Sequence, residues 1–219
     1  ISRKVIIKRG RIFMVAVKVF KVGPLETNCY LLTDTSTKKS AIIDPGGISA
    51  KLDEAINAGG VENIEYILMT HGHFDHIRKA PRYKNLTGAT LAIGKNEADF
   101  TKDRHLNLCR IPVEEFEADV LLNDGDTIKL GNFIIRVIET PGHTKGSVCF
   151  VAGDCIFTGD TLMKGTFGRC DLETGDFEQM EKSLEKIFSL PGDYKIYPGH
   201  GDMSTLAAER ANNSYNKRI

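Results

Sequence analysis

Thr70–His76 reads THGHFDH, and three of the six histidines in this 219-residue chain fall within those seven positions, with Asp75 beside the last of them. The stretch before it, Ile64–Met69 (IEYILM), is a near-continuous apolar run, which predicts a strand buried on both faces. In an extended loop, side chains two positions apart point the same way, so His71 and His73 form a pair able to bind one cation. Asp75 and His76 face elsewhere if the chain turns into a helix there. That geometry offers ligands to two cation positions. Imidazole with carboxylate suits zinc, iron, manganese or nickel, and the lack of a neighbouring thiolate argues against a structural zinc knot.

Working outward, the same arrangement recurs. TPGHTKGS (Thr140–Ser147) follows a strand expected at Phe133–Glu139, TGDT (Thr158–Thr161) closes one at Ile156–Thr158, and YPGHG (Tyr197–Gly201) closes one at Tyr194–Tyr197. Five of the six histidines therefore lie in glycine-bearing turns just after strands; the sixth, His105, does not and reads as a surface residue. Strand ends gather at one edge of a sheet, and glycine permits the tight turns that aim side chains into a shared site.

Further strands are expected at Val15–Phe20, Asn28–Thr33, Ser40–Ile43, Thr90–Ile93, Thr127–Leu130 and Ser147–Val151. Ser49–Ala58, Phe177–Ser189 and Thr205–Asn212 carry apolar residues at helical spacing. Asn96–Asp119 is aperiodic and reads as loop with a short helix. Strands and helices alternate with no repeat and no Pro/Gly/Ser-rich linker, so one α+β domain is expected over residues 14–219. Residues 1–13 hold five basic residues and no acid, and read as an extension outside that domain or a short basic tether.

Hydrophobic residues make up 41% and charged residues 26%, a globular balance. Lys+Arg and Asp+Glu both number 29, so the basic surplus of a nucleic-acid binder is missing. No run reaches the ~18 apolar residues of a membrane span. Five cysteines without a C-x-x-C pair suggest a reducing, cytoplasmic setting and no disulfide framework.

The H-x-H-x-D-H pattern at His71–His76, followed in order by TPGHTKGS, GDT and YPGHG, resembles the metallo-β-lactamase superfamily. NCYLL, AIIDPGG, FGRCDLETGD and YPGHGDMSTLAAER look like its glyoxalase II-like hydrolases, with the match running from about Met14 to Asn212. The resemblance implies a four-layer αββα sandwich and two divalent metal ions, foremost Zn2+, with Fe or Mn as alternatives. It implies that His71, His73 and His143 hold the first metal, that Asp75, His76 and His200 hold the second, and that Asp160 bridges them with a water or hydroxide. Two departures stand out. The family follows its last motif histidine with Ile-Gly-Gly, where this chain has Ile77-Arg78-Lys79-Ala80-Pro81; two long basic side chains there either project over the pocket mouth or mark a shifted helix. Only nineteen residues follow His200, too few for the helical C-terminal region by which glutathione-thioester hydrolases of the family hold glutathione.

The expected activity is hydrolysis of a small acyl substrate, most simply a thioester such as S-lactoylglutathione, by a monomer or small homo-oligomer. No G-x-S-x-G elbow suggests a side-chain nucleophile. Asp75 and Asp160 are the catalytic candidates, Asp75 to accept or pass a proton. Thr144 and Ser147 are expected to brace the turn of His143, Lys145 to steer an anionic substrate, and Arg169 to pair with Asp171. The alternatives are an iron persulfide dioxygenase of the same superfamily, a hydrolase of another ester or lactone, and a metal-binding module without catalysis. β-Lactam and RNA substrates are disfavoured, since no export signal is visible and the charges balance.

Overall fold

Neighbouring residues on the central strands go to opposite sides. Leu32, Ile43, Leu68, Phe150 and Phe157 join one apolar cluster, while their neighbours Leu31, Ile42 and Ile67 join a second and Val151 and Ile156 a third. A strand sends successive side chains to opposite faces, so strands that are apolar at every position must be covered twice. The computed structural model describes residues 2–8, 11–110 and 114–217, with side chains over 15–110 and 114–216.

The first sheet lays β1 (Ser2–Lys8), β2 (Arg11–Val22), β3 (Thr27–Asp34), β4 (Ser40–Ile43), β5 (Ile64–Met69), β6 (Thr90–Gly94) and β7 (Val120–Leu122) side by side in chain order. The chain then forms β8 (Thr127–Leu130), β9 (Phe133–Glu139), β10 (Val148–Ala152), β11 (Cys155–Gly159), the small hairpin β12 (Leu162–Met163) and β13 (Thr166–Phe167), then β14 (Lys195–Pro198) and β15 (Ser204–Thr205). The second sheet orders these as β15-β14-β11-β10-β9-β8. Tyr30, Phe150, Phe157 and Tyr197 fill the space between the sheets. Helices α1 (Ala50–Gly59), α2 (Phe74–Ile77) and α3 (Ala80–Thr87) follow strands of the first sheet, and Leu52, Ile56, Ile77 and Tyr83 cover its outer face. Helices α4 (Phe177–Phe188) and α5 (Leu206–Asn212) cover the second through Met180, Leu184, Ile187 and Leu206. The result is the expected αββα sandwich.

Parallel pairing decides where the turns fall. β4, β5 and β6 run parallel to one another, as do β11 and β14. Their C-terminal ends therefore share an edge. Main-chain bonds stitch the two sheets together there: Val148 N–H donates to Thr70 O at 2.8 Å and Asn28 N–H to Gly199 O at 2.7 Å.

Several boundaries differ from the sequence reading. β2 begins at Arg11 rather than Val15, and β1 pairs with it from Ser2↔Val17 to Lys8↔Arg11, so residues expected to lie outside the fold extend the first sheet. Arg9, Gly10 and the side chains before Val15 lie outside the described residues, and with them the expected basic tether. At the start of the aperiodic segment Lys95–Thr101 is a 3-10 helix, and just past its end Val120–Leu122 is an edge strand of three residues, too short to show a period. The helix after THGHFDH is split. α2 stops at Ile77, Lys79 leaves helical geometry (φ −109°, ψ 8°), and α3 restarts with Pro81 in its first turn, where a missing N–H costs nothing.

Candidate metal centre

Each of the seven sequence-chosen ligands lies in or just after a turn at the shared edge. His71 and His73 follow β5, and Asp75 and His76 occupy the first turn of α2. His143 stands between β9 and β10, Asp160 directly after β11, and His200 after β14. The structure brings these seven together. Ligand atoms of His71, His73 and His143 fall within 4.8 Å of one another, as do those of Asp75, His76 and His200, and those of His71, His76 and Asp160. His73 Nδ1 and His143 Nε2 are 2.9 Å apart. His200 Nε2 is 3.1 Å from Asp75 Oδ2 and 3.4 Å from His76 Nε2. Asp160 sits between the two groups, with Oδ2 3.5 Å from His143 Nε2 and 3.6 Å from His200 Nε2.

Outer partners turn the rings inward. Asp44 accepts from Thr70 N–H (2.8 Å), from the Thr70 hydroxyl (2.7 Å) and from His76 Nδ1–H (3.0 Å). Since the Thr70 hydroxyl is spent on Asp44, its oxygen takes His71 Nδ1–H at 3.2 Å. One buried carboxylate thus fixes the tautomers of two imidazoles and leaves both Nε2 atoms facing the site. The carbonyl of Arg169 accepts from His143 Nδ1–H at 2.8 Å and that of Leu25 from His200 Nδ1–H at 3.2 Å. Thr27 donates to Asp75 Oδ2 at 2.7 Å. Asp44 is not among the sequence candidates, although it lies in the AIIDPGG stretch; what it touches is fixed only by the β4–β5 pairing.

The protonation states divide along the site. Burial, reinforced by the neighbouring imidazoles, holds His71 well below the ordinary histidine range and His73 at about 3. Burial also works against charge on His76, yet Asp75, Asp160 and Asp44 overcome it and push the imidazole up to about 10. Asp75 is held below the usual carboxylate range, its burial outweighed by His76, His200 and Thr27. His200 is raised, its burial outweighed by Asp75 and Asp160.

The donor set fits divalent cations. His71 Nε2 and Asp160 Oδ1 are buried with no hydrogen-bond partner, and an orphaned buried polar atom costs about 1–3 kcal/mol. A cation beside them relieves that cost and screens the crowding of five imidazoles. His71 and His73 are already held neutral, the state a metal requires. Gly199 allows the approach, since a Cβ there would lie 2.2 Å from Asp160 Oδ1 and 2.7 Å from His76 Cε1.

The remaining candidates sit further out. Thr144 and Ser147 share a 2.6 Å hydroxyl contact within the His143 turn. Lys145 pairs with Asp99 at 3.2 Å. The Arg169 side chain makes the expected ion pair with Asp171, exposed and bidentate at 2.7 Å, while its carbonyl does the orienting. His105 is exposed, 4.0 Å from Glu173. No described helix is long and apolar enough to cross a membrane.

Comparison with known proteins agrees with this geometry. The model of the metallo-beta-lactamase superfamily matches residues 22–200, which contain all seven donors. The hydroxyacylglutathione hydrolase GloC of Haemophilus influenzae is 32% identical over 91% of this chain and 97% of its own. The solved BLEG-1 B3 metallo-beta-lactamase is 31% identical and superposes with a TM-score of 0.84, covering 91% of this chain and 99% of that one. TTHA1623, solved in a di-iron-bound form, is 28% identical with a TM-score of 0.78, covering 90% and 99%. With its sandwich, its edge-gathered turns and its order of donors, the chain belongs to the metallo-β-lactamase superfamily.

Proposed function

We propose that the chain is a dinuclear metal-dependent hydrolase of a small acyl thioester, in the manner of the glyoxalase II-like enzymes. The observation that carries this reading is the position of Asp160, whose carboxylate lies 3.5 Å from His143 Nε2 on one side and 3.6 Å from both His200 Nε2 and His76 Nε2 on the other. His71, His73 and His143 would hold the first cation, Asp75, His76 and His200 the second, and Asp160 both. Bound divalent ions supply Lewis acidity and lower the pKa of water from 15.7 toward about 7. Zinc is the simplest occupant, and iron or manganese suit the same donors.

The chain's own groups do the rest. Asp44, Leu25 O and Arg169 O hold four rings in the tautomer that faces inward. Asp75, fixed by Thr27 and kept ionised, would accept a hydrogen bond from the attacking water and orient it toward an acyl carbon. Lys145, at the turn of His143, would steer an anionic substrate. The balanced charge of the chain suits a small molecule better than a nucleic acid. The likeness to GloC, named a hydroxyacylglutathione hydrolase, favours a thioester among acyl substrates.

The test is metal content of purified protein together with hydrolysis of S-lactoylglutathione, with and without chelator. About two metals per chain with chelator-sensitive turnover is expected. Two metals with turnover only of other esters or lactones moves the substrate; a single iron with oxygen-dependent persulfide oxidation overturns the reading.

A further inference from the structure

Glu97 lies outside the donor cluster, in the 3-10 segment Lys95–Thr101 that follows β6, and is completely buried. A glutamate is almost never fully buried unless it is paired. Its principal partners are main-chain N–H groups. Oε2 accepts from Gly72 N–H at 2.6 Å and Oε1 from Gly146 N–H at 2.8 Å. Gly72 stands between His71 and His73, and Gly146 belongs to the turn of His143. The first turn leaves the first sheet and the second leaves the other, so this side chain spans the seam between the halves.

We propose that Glu97 is a positioning residue, a buried carboxylate clamp that sets the distance between the His71/His73 turn and the His143 turn so that three imidazoles converge on one cation. The inference rests on the metal-centre reading above and concerns one of its two positions. On the far side the same turns are tied by Val148 N–H to Thr70 O, so Glu97 closes the second end of a bracket. Two oxygens each engaging a separate N–H need a carboxylate; an amide of the same shape accepts at one end and confronts the other N–H with its own donor. The fit is close, since a Cβ on Gly146 would stand 2.9 Å from Glu97 N. The segment also places Phe100 against His73, ring centroids 6.1 Å apart. Burial pushes the Glu97 carboxyl up to about 7 despite its hydrogen bonds, so the clamp is held against its own desolvation. None of its contacts reaches a donor ring directly, which makes its action geometric.

The experiment is a cobalt(II) titration with chelator competition on the full chain and on Glu97→Gln, with imidazole 15N spectra to tell the two positions apart. The substitution is expected to weaken the cation at His71/His73/His143 about 10–100-fold and leave the position at His76/His200 unchanged. Glu97→Asp, which keeps the charge but loses reach, should restore part of that affinity. Equal weakening at both positions, or unchanged affinity in a folded variant, overturns the inference. Should both variants fail to fold, amide exchange in the unsubstituted protein decides it: Gly72 and Gly146 N–H are expected to be slow, and loop-like exchange at either one refutes the clamp. A full chain that binds no cobalt sinks the metal-centre reading and this inference with it, whereas binding that ignores Glu97 sinks the clamp alone.

Discussion

The buried imidazole of His76 has three carboxylates around it, and its ionisation ties stability to pH. Its folded value of about 10 lies above the ordinary 6.5, so in the metal-free protein its charge stabilises the fold fully below 6.5 and is lost as pH rises through about 10. Asp75 runs the other way: held below its ordinary 3.8, it contributes above that value and loses the contribution on acidification. His71 and His73, held neutral in the fold, oppose protonation below 6.5, so we expect the melting temperature of the chelator-treated protein to be highest near pH 6.5 and to fall on both sides. A melting temperature that stays level from pH 6.5 to 10 would contradict the charged state assigned to His76. At this scale the donors were legible in sequence because each histidine arrives with a glycine and a preceding strand. Asp44 and Glu97 were not. An acid in a chain of 29 acids carries no mark of the partner it will meet: Asp44 meets Thr70 through strand pairing, and Glu97 meets Gly146 only where the two sheets pack.

The turns between elements carry the chemistry, so the most informative substitution lies in one of them. Gly199→Ala would put a methyl group 2.2 Å from Asp160 Oδ1 and 2.7 Å from His76 Cε1, so at least one of these donors must move. Cation affinity is expected to fall by at least about 10-fold while the far-ultraviolet circular dichroism stays as it was, because the strands on either side keep their cores. Unchanged affinity would mean that Asp160 is not held where it stands. Strands Ser40–Ile43, Ile64–Met69, Thr127–Leu130 and Phe133–Glu139 match the sequence expectation to the residue, each being an apolar run or an apolar–polar alternation between clear breakers. The split into α2 and α3 was signalled by Pro81 but not located, since the break depends on Lys79 N–H reaching Pro45 O at 3.0 Å. Val120–Leu122 was missed because two of its three side chains are exposed and no period exists to read.

Across the molecule, stability and chemistry are separable. Phe150 is fully buried between the sheets, at the middle of β10. Phe150→Ala is expected to cost about 3–5 kcal/mol in urea unfolding of the metal-free protein. Cation stoichiometry should stay the same, and its loss would show that the inner core and the edge are coupled. The layer order was legible from strands that are apolar at every position, since these demand cover on both faces. Which strand joins which sheet was not, because parallel pairs such as β4–β5 and β11–β14 join strands that helices separate in the chain. That division has a consequence for what the centre reports. His71, His73, Asp75 and His76 come from the first half of the chain, and His143, Asp160 and His200 from the second. Neither half holds a complete ligand set, so cation capture works as a coincidence detector for the docking of the two. Two fragments parted in the Asn123–Asp126 turn would bind metal only on reassembly, making the centre an intrinsic complementation reporter.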